Sequence, residues 1–393
     1  MNADDFCKSY GLERRNTNCL KWDALKERFG EDDLTPLWIA DMEFKTVPQA
    51  IEAIIKRAEH GAFGYGKVPD SYYEAYINWQ KRHGMHIKRE EIRFASGIVG
   101  SLYALVNTFT QPGESVVVTT PVYYPFFFAI NGPGRKIVEC ELTNSGGIYS
   151  LDLDKFEQVI VESKTKLFIL CSPHNPVGRV WTEQELAGLL EICLKHGVVV
   201  ASDEVHQDYI SPGCSFVSSS TVADGKYRDI LVTLNAVSKT FNLASLIHSH
   251  VIIYNEKLRA RYDDQIKKTG ETPVNVLGLA GTEAAFRHGA EWLEGANALV
   301  QKNYAYIKAE FAAKAPRAII SPLEGTYLMW MDLRAYIGTA PTVDFIQKKC
   351  RLAVNVGEKF FNGGGEGFIR INLATLPKYV ELAAGRIIDK LDF

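Results

Sequence analysis

The middle of this 393-residue chain alternates short runs of β-branched and apolar residues with stretches of helical periodicity. Strands are predicted at residues 92–95, 115–119, 136–141, 167–171, 198–202, 230–234 and 249–254. A helix is predicted at 182–196, where Thr182 and Glu185 have the spacing of a capping box. Near-continuous apolar strands that alternate with helices are typical of parallel sheets covered on both faces. The sequence therefore predicts an α/β fold with a mostly parallel sheet.

The pattern changes near residue 291, where a long helix is predicted to residue 315 and mixed strands and helices follow. The first 45 residues supply no strand of the predicted sheet. We therefore expect a large α/β domain at 46–290 and a smaller α+β domain formed by 1–45 together with 291–393.

Composition excludes several classes of function. The formal net charge is -3, so no basic excess favours nucleic acid or an anionic membrane surface. The N-terminus has no apolar signal segment, and no apolar run is long enough to span a bilayer. The seven cysteines are dispersed without a CxxC pair, which is typical of a reducing compartment. These features predict a cytoplasmic protein without disulfides.

Loops with special chemistry follow the predicted strands, at the edge where open α/β sheets bind ligands. The Ser-Gly-Ile-Val turn at 96–99 leads into a helix, and such a turn can bind an anion through backbone N–H groups. An ordinary strand-to-helix turn is the alternative for so short a pattern. In the loop at 120–126, two prolines bracket Tyr123 and Tyr124 and restrict their directions.

Two further loops carry an amide and a carboxylate. The segment Pro-His-Asn-Pro-Val-Gly at 173–178 predicts a rigid turn that presents Asn175. Asp203 follows strand 198–202, and a carboxylate there is costly unless a cation or strong donor meets it. Asp203, His206 and Asp208 also have the side-chain types of metal ligands. A metal site is thus an alternative, although no second ligand cluster is evident in the sequence.

Lys239 lies just past strand 230–234, among small and polar residues. Most lysines lie on exposed faces, and taken singly this one could have a structural role. An amine in such a place can have its pKa lowered and act as a nucleophile or base.

Taken in order, these motifs resemble those of fold-type I pyridoxal 5'-phosphate (PLP) enzymes of the class I/II aminotransferase superfamily. The resemblance implies PLP as the cofactor and a small amino acid as the substrate. Lys239 would hold the cofactor covalently, Asn175 would contact its phenolic oxygen, and Asp203 would pair with its pyridine nitrogen. The other implied cofactor contacts are Tyr123, which would stack on the ring, His206, and four residues at the phosphate, Gly97, Ile98, Val99 and Ser238.

The same resemblance implies the substrate site and the assembly. The segment Gly-Phe-Ile-Arg-Ile-Asn at 367–372 resembles the one whose arginine binds the substrate α-carboxylate, which assigns that role to Arg370. The other implied substrate-binding residues are Ala40, Tyr124 and Asn175, and the implied catalytic residues are Lys239, Asp203 and Tyr123. The family forms homodimers with shared active sites, in which Tyr65 would reach the phosphate of the partner subunit.

Several stretches are similar to the cystathionine β-lyase and cystalysin-like branch, namely 21–23, 39–44, 63–65, 120–126, 172–181 and 324–327. His206 also stands where ordinary aminotransferases usually carry tyrosine. The resemblance predicts cleavage of L-cystathionine, L-cysteine or related cysteine S-conjugates to a thiol or sulfide, pyruvate and ammonia. An aminotransferase acting on an L-amino acid is the main alternative, and a chain that chiefly binds a regulatory partner is another. A nicotinamide dehydrogenase is disfavoured, because the glycine run at 363–367 does not read GxGxxG.

Three positions depart from the family pattern. Val237 stands where proline usually precedes the lysine motif, and Ser245 stands where glycine usually follows it. Ile247 replaces an aminotransferase arginine that binds phosphate. His248 and His250, just beyond, belong to no pattern that the resemblance explains.

Overall fold

A seven-stranded sheet dominates the computed structural model, which describes residues 1–270, 274–338 and 340–392. Six strands run parallel, and Ser249–Ile253 runs antiparallel to both of its neighbours. The strands lie in the order Ile92–Ala95, Ser249–Ile253, Leu231–Asn235, Val199–Asp203, Leu167–Cys171, Ser115–Thr120 and Lys136–Glu141. The prediction of a mostly parallel sheet is therefore confirmed.

Local caps explain why some predicted strands were displaced by a residue. Gly197 ends the preceding helix with φ 64, and the N–H of Val198 bonds the carbonyl of Cys193, so Val198 belongs to the cap. Ile230 likewise closes a 3-10 turn, Arg228–Ile230. At their carboxyl ends these two strands extend to Asp203 and Asn235.

Helices cover both faces of the sheet. Side chains alternate between these two faces along each strand. Val116 and Val118 pack into one buried cluster, whereas Val117 packs into the cluster on the opposite face. Helices Ile98–Phe109, Pro125–Asn131 and Glu256–Thr269 contribute to the first cluster, and Leu153–Ser163 and Glu183–His196 to the second. The capping box predicted for the last helix is confirmed, with Thr182 accepting from the Glu185 N–H at 3.2 Å.

The C-terminal part contains a smaller sheet of antiparallel strands, Ile319–Ile320, Leu328–Asp332, Phe368–Asn372 and Asn355–Val356. The long helix predicted at 291–315 is Ala290–Lys314. The N-terminal segment packs here, since Thr35–Pro36 pairs with Leu352–Ala353 and the Phe6 ring lies 5.3 Å from that of Trp292. The domain division at 46 and 290 stays a prediction.

The remaining elements are shorter or connect these layers. The strands Thr143–Ser145 and Ile148–Ser150 form a hairpin. The other α-helices are Ala3–Tyr10, Leu20–Asp23, Leu25–Phe29, Pro48–Glu59, Asp70–Gln80, Val237–Thr240, Val276–His288, Arg334–Ile337 and Pro377–Ile388. A π-helix spans Asp344–Lys349, and further 3-10 turns are Lys81–His83, Arg89–Glu91, Val222–Gly225, Ala244–Leu246 and Gly357–Lys359.

All seven cysteines lie in the described residues and are free, as expected. Across 1–270, 274–338 and 340–392, no helix is long and apolar enough to cross a membrane. The cytoplasmic location stays a prediction.

Candidate active site

Lys239 lies on the short helix Val237–Thr240, which begins just beyond the strand Leu231–Asn235. Its Nζ donates to the Ala40 carbonyl at 2.7 Å, and the Tyr327 hydroxyl donates to the same carbonyl at 3.0 Å. Burial lowers the pKa of Lys239 to about 8, and the positive charge of Arg370 acts in the same direction, against Asp41 and Asp203. A fraction of the amine is therefore neutral near pH 7, and it can act as a nucleophile or base.

Asp203 presents a carboxylate at the end of its strand and is 3% exposed. Its Oδ1 accepts from the Val205 N–H at 3.1 Å, and it makes no ion pair within the described part of the chain. Burial raises the pKa of Asp203 to about 7, although the Val205 N–H and the charge of Lys239 oppose this. A protonated ring nitrogen would supply the cation that this buried carboxylate lacks.

Arg370 lies on the strand Phe368–Asn372 and is 2% exposed. Its Nη1 donates to Asn175 Oδ1 at 2.9 Å, and its Nη2 donates to the Trp38 carbonyl at 2.8 Å and to Asn355 Oδ1 at 2.5 Å. Burial lowers the pKa of Arg370 to about 10, so the guanidinium is still charged at neutral pH. All of these acceptors are neutral, and Nε has no partner in the described structure. The site therefore holds a buried positive charge that a ligand carboxylate could balance.

The two predicted tyrosines lie beside this guanidinium. The ring centroids of Tyr123 and Tyr124 are 5.6 Å apart, and Tyr124 lies 6.0 Å from Phe360. The Phe360 ring in turn lies 5.1 Å from Cζ of Arg370. Burial raises the pKa of Tyr123, which stays a neutral phenol at physiological pH.

The turn at 96–99 has the geometry expected of an anion site. Gly97 is the N-cap of helix Ile98–Phe109 and has φ 114, a value that favours glycine. The N–H groups of Ile98 and Val99 stand in the first turn, where they have no acceptor in their own helix. A Cβ placed on Gly97 would meet nothing within 4 Å, so the space in front of the turn is open.

Three other predicted residues have different surroundings. Ser238 is half-buried directly before Lys239, and its hydroxyl makes no hydrogen bond to any residue described. His206 is buried, with its ring 5.4 Å from that of Tyr327, and burial lowers its pKa well below the usual value. Tyr65 is fully exposed and is not brought to the other site residues within one chain.

The metal alternative is not supported, because the Asp208 carboxylate is already bound by three other side chains. Its carboxylate accepts from Thr240 Oγ1 at 2.7 Å and from the Trp79 indole at 3.2 Å, and it lies 2.9 Å from His83 Nε2. Among the residues described, no three His, Cys, Asp or Glu side chains converge as metal ligands would.

The prediction missed Trp38 and Asn355, which bind Arg370, and it gave Tyr327 no role of its own. Trp38 contributes only its carbonyl, so its side chain gives no signal. Asn355 could have been found, because it is a polar residue within an apolar run, and a buried amide needs a partner.

The family model described as aminotransferase class I and II matches residues 32–387, so the chain belongs to that family. The fold-type I architecture expected from the motifs is confirmed.

Particular relatives come from one branch of that family. The chain is 37% identical over 370 residues to cystathionine beta-lyase PatB of Bacillus subtilis, covering 93% of this chain and 95% of that protein. It is 32% identical to Protein MalY of Escherichia coli over 98% of both chains. The structure of cystalysin from Treponema denticola, which contains PLP, matches with a TM-score of 0.91 and 35% identity over 96% of this chain and 97% of that one. The PLP-bound C-S lyase from Staphylococcus hominis matches with a TM-score of 0.90 and 32% identity over 97% and 96%.

Proposed function

We propose that this chain is a PLP-dependent carbon–sulfur β-lyase that cleaves L-cystathionine, L-cysteine or related cysteine S-conjugates to a thiol or sulfide, pyruvate and ammonia. Similarity to cystathionine beta-lyase PatB and to a C-S lyase supports β-elimination. One geometric observation supports an amino-acid substrate held next to a base. The carbonyls of Trp38 and Ala40, two residues apart, hold the guanidinium of Arg370 and the amine of Lys239. Two residues of chain span at most about 7 Å, so a carboxylate binder and a base flank one small volume.

The residues present fit PLP. Lys239 would hold its aldehyde carbon covalently, and Asp203 would pair with its pyridine nitrogen. Its phosphate would meet the N–H groups of Ile98 and Val99 together with Ser238, and Gly97 would open the turn to it. The other contacts assigned to the cofactor are Asn175, Tyr123 and His206. PLP, when bound, supplies an electron sink for the charge that develops on the substrate Cα.

The protein groups bind the substrate and move its protons. Arg370 would bind the α-carboxylate, with Asn175, Tyr124 and Ala40 beside it, and so fix the Cα–H bond relative to Lys239. The neutral amine of Lys239 would remove the Cα proton, as a general base within reach of that carbon. The sulfur leaves Cβ as a thiolate, and water converts the three-carbon remainder to pyruvate and ammonia.

An aminotransferase would use the same base, so the test must follow the fate of the amino group. Purified protein is loaded with PLP and given L-cystathionine without a 2-oxo acid, and pyruvate, thiol and ammonia are measured. We expect continuous release of all three in equal amounts, because elimination needs no amino acceptor. No release of pyruvate, thiol or ammonia, together with transfer of the amino group once a 2-oxo acid is added, would show an aminotransferase instead.

A homodimer with shared sites is part of this proposal. Tyr65 is fully exposed, as is the neighbouring apolar ring of Phe63 to a large extent, and an exposed aromatic segment is typical of an interface. The segment would bring Tyr65 to the phosphate of the second subunit.

Complementation tests the shared site. K239A and Y65A proteins, each expected to be inactive alone, are unfolded together and refolded as a mixture. Hybrid dimers have one site with both residues intact, so about a quarter of wild-type activity is expected after random pairing. Refolding each variant separately is the control. No recovery in a mixture that forms hybrid dimers would contradict sharing.

The raised pKa of Asp203 predicts an effect on stability. Its folded pKa, about 7, lies above the reference value of 3.8, so the ionised carboxylate destabilises the cofactor-free protein. This cost is absent below about pH 4 and fully present above about pH 7. D203N should therefore raise the free energy of unfolding at pH 8 by about 1–3 kcal/mol, and the gain should vanish toward pH 4.

Urea unfolding of cofactor-free protein measures this effect. The matched control is D208N, because Asp208 has three hydrogen-bonding partners and its loss should destabilise. PLP should then stabilise the wild type more than D203N. If cofactor-free D203N is no more stable than the wild type at pH 8, contacts within the protein already offset the cost of burying the ionised carboxylate.

A further inference from the structure

Ser249 ties together the two ends of the turn that precedes helix Ile98–Phe109. It is fully buried at the start of strand Ser249–Ile253, where it lies opposite Ala95. Its hydroxyl donates to the Ala95 carbonyl and accepts from the Gly97 N–H, both at 3.1 Å. One side chain from an antiparallel neighbour thus fixes the backbone on both sides of Ser96.

We infer that Ser249 is a positioning residue for the phosphate group of the cofactor, an inference that rests on the proposed PLP function. The Gly97 N–H is already bonded to Ser249, so Gly97 serves the site through its conformation and its lack of a side chain. The donors left for an anion are the N–H groups of Ile98 and Val99, whose direction depends on how Gly97 is held. Removing the Ser249 hydroxyl would free this turn to rotate.

The side chains on either side of Ser249 hold the start of its strand from the opposite face. The Nε2 atoms of His248 and His250 lie 2.6 and 2.7 Å from the hydroxyl of Tyr72, and all three residues are buried. A hydroxyl has one proton, so it donates to one imidazole and accepts from the other. Burial lowers the pKa of both histidines, so both rings are neutral at physiological pH. These two histidines, which fit no sequence pattern, therefore have a structural role that keeps Ser249 in place.

Ile247, two residues before Ser249, makes phosphate binding depend more strongly on the turn at 97–99. Ile247, at the place of the phosphate-binding arginine of aminotransferases, is 54% exposed and has φ 49. An aliphatic side chain offers the phosphate neither charge nor a donor. Binding of the phosphate within this subunit thus depends on Ser238 and on correctly directed backbone N–H groups.

The test compares two ligands that differ only in the phosphate. Dissociation constants for PLP and for pyridoxal are measured by absorbance titration of cofactor-free wild type and S249A. We expect S249A to weaken PLP binding about tenfold, while pyridoxal binding changes by less than about twofold. The matched control is T233V, because the Thr233 hydroxyl is buried on the adjacent strand without a partner in the described structure. It should change neither constant.

The outcomes separate the possible failures. If S249A weakens PLP and pyridoxal equally, or leaves PLP binding unchanged, the positioning role is wrong. If S249A does not fold, S249C carries the test, since a thiol is close in size but a weaker hydrogen-bonding group, and PLP binding alone should weaken. Wild type that binds no PLP would overturn the proposed function, and this inference with it.

Discussion

Replacement of Lys239 by alanine is expected to lower the rate of pyruvate release from L-cystathionine by about four orders of magnitude or more. The variant loses both the group that holds the cofactor and the base that removes the Cα proton. Some PLP binding should survive, because Asp203, the turn at 97–99 and Ser238 are unchanged. The measurement is the initial rate of pyruvate release at saturating PLP.

Two control variants accompany K239A. One tests whether a positive charge at this position is enough for activity, and the other tests the loss of a lysine elsewhere. K239R keeps a cation at this position, but a guanidinium stays protonated and cannot act as a base, so it should be as inactive as K239A. K267A alters an exposed lysine on helix Glu256–Thr269 and should match the wild type. Activity of K239A within tenfold of the wild type would rule out Lys239 as the base.

Replacement of Arg370 by lysine is expected to raise KM for L-cystathionine by about 10- to 100-fold, with a smaller change in kcat. An ammonium keeps the charge but loses the planar pair of donors that suits a carboxylate. The substituted side chain would also have to satisfy Asn175, Asn355 and the Trp38 carbonyl, which Arg370 now binds. Steady-state kinetics over a range of substrate concentrations measures both constants.

The matched control for this change is R93K. Arg93 also lies on a strand, and it binds the carboxylate of Asp263 through two hydrogen bonds of 2.6 and 2.8 Å. The R93K variant also loses a planar pair of donors to a carboxylate, but at a pair outside the proposed substrate site. Its KM should therefore not change. A KM for R370K equal to that of the wild type would mean that another residue binds the α-carboxylate.

Much of the fold could be predicted because buried strands need continuous apolar runs. Leu167–Cys171, which is buried along its whole length, has the predicted bounds. Val199–Asp203 and Leu231–Asn235 are each displaced by one residue at both ends. The differences arise from hydrogen bonds that a run of residue types does not specify, such as the one from the Val198 N–H to Cys193. Hydrophobicity locates a strand, and the neighbouring cap decides its first residue.

In the site, likewise, some residues could be predicted from the sequence and others could not. Lys239, Asp203 and Asn175 could be identified because each lies at or just past the end of a strand, and parallel strands end at one edge of a sheet. The Trp38 and Ala40 carbonyls could not, since any residue supplies a carbonyl. The contact of Tyr72 with His248 joins positions 176 residues apart, which no local pattern encodes.

Trapping of the cofactor tests the assignment of Lys239 most directly. PLP-loaded protein is treated with borohydride, which reduces a carbon–nitrogen double bond to a stable amine, and the labelled peptide is sequenced by mass spectrometry. We expect a single pyridoxyl group on Lys239, and none in K239A treated in the same way. Label on another lysine, or unchanged labelling of K239A, would contradict the assignment of Lys239.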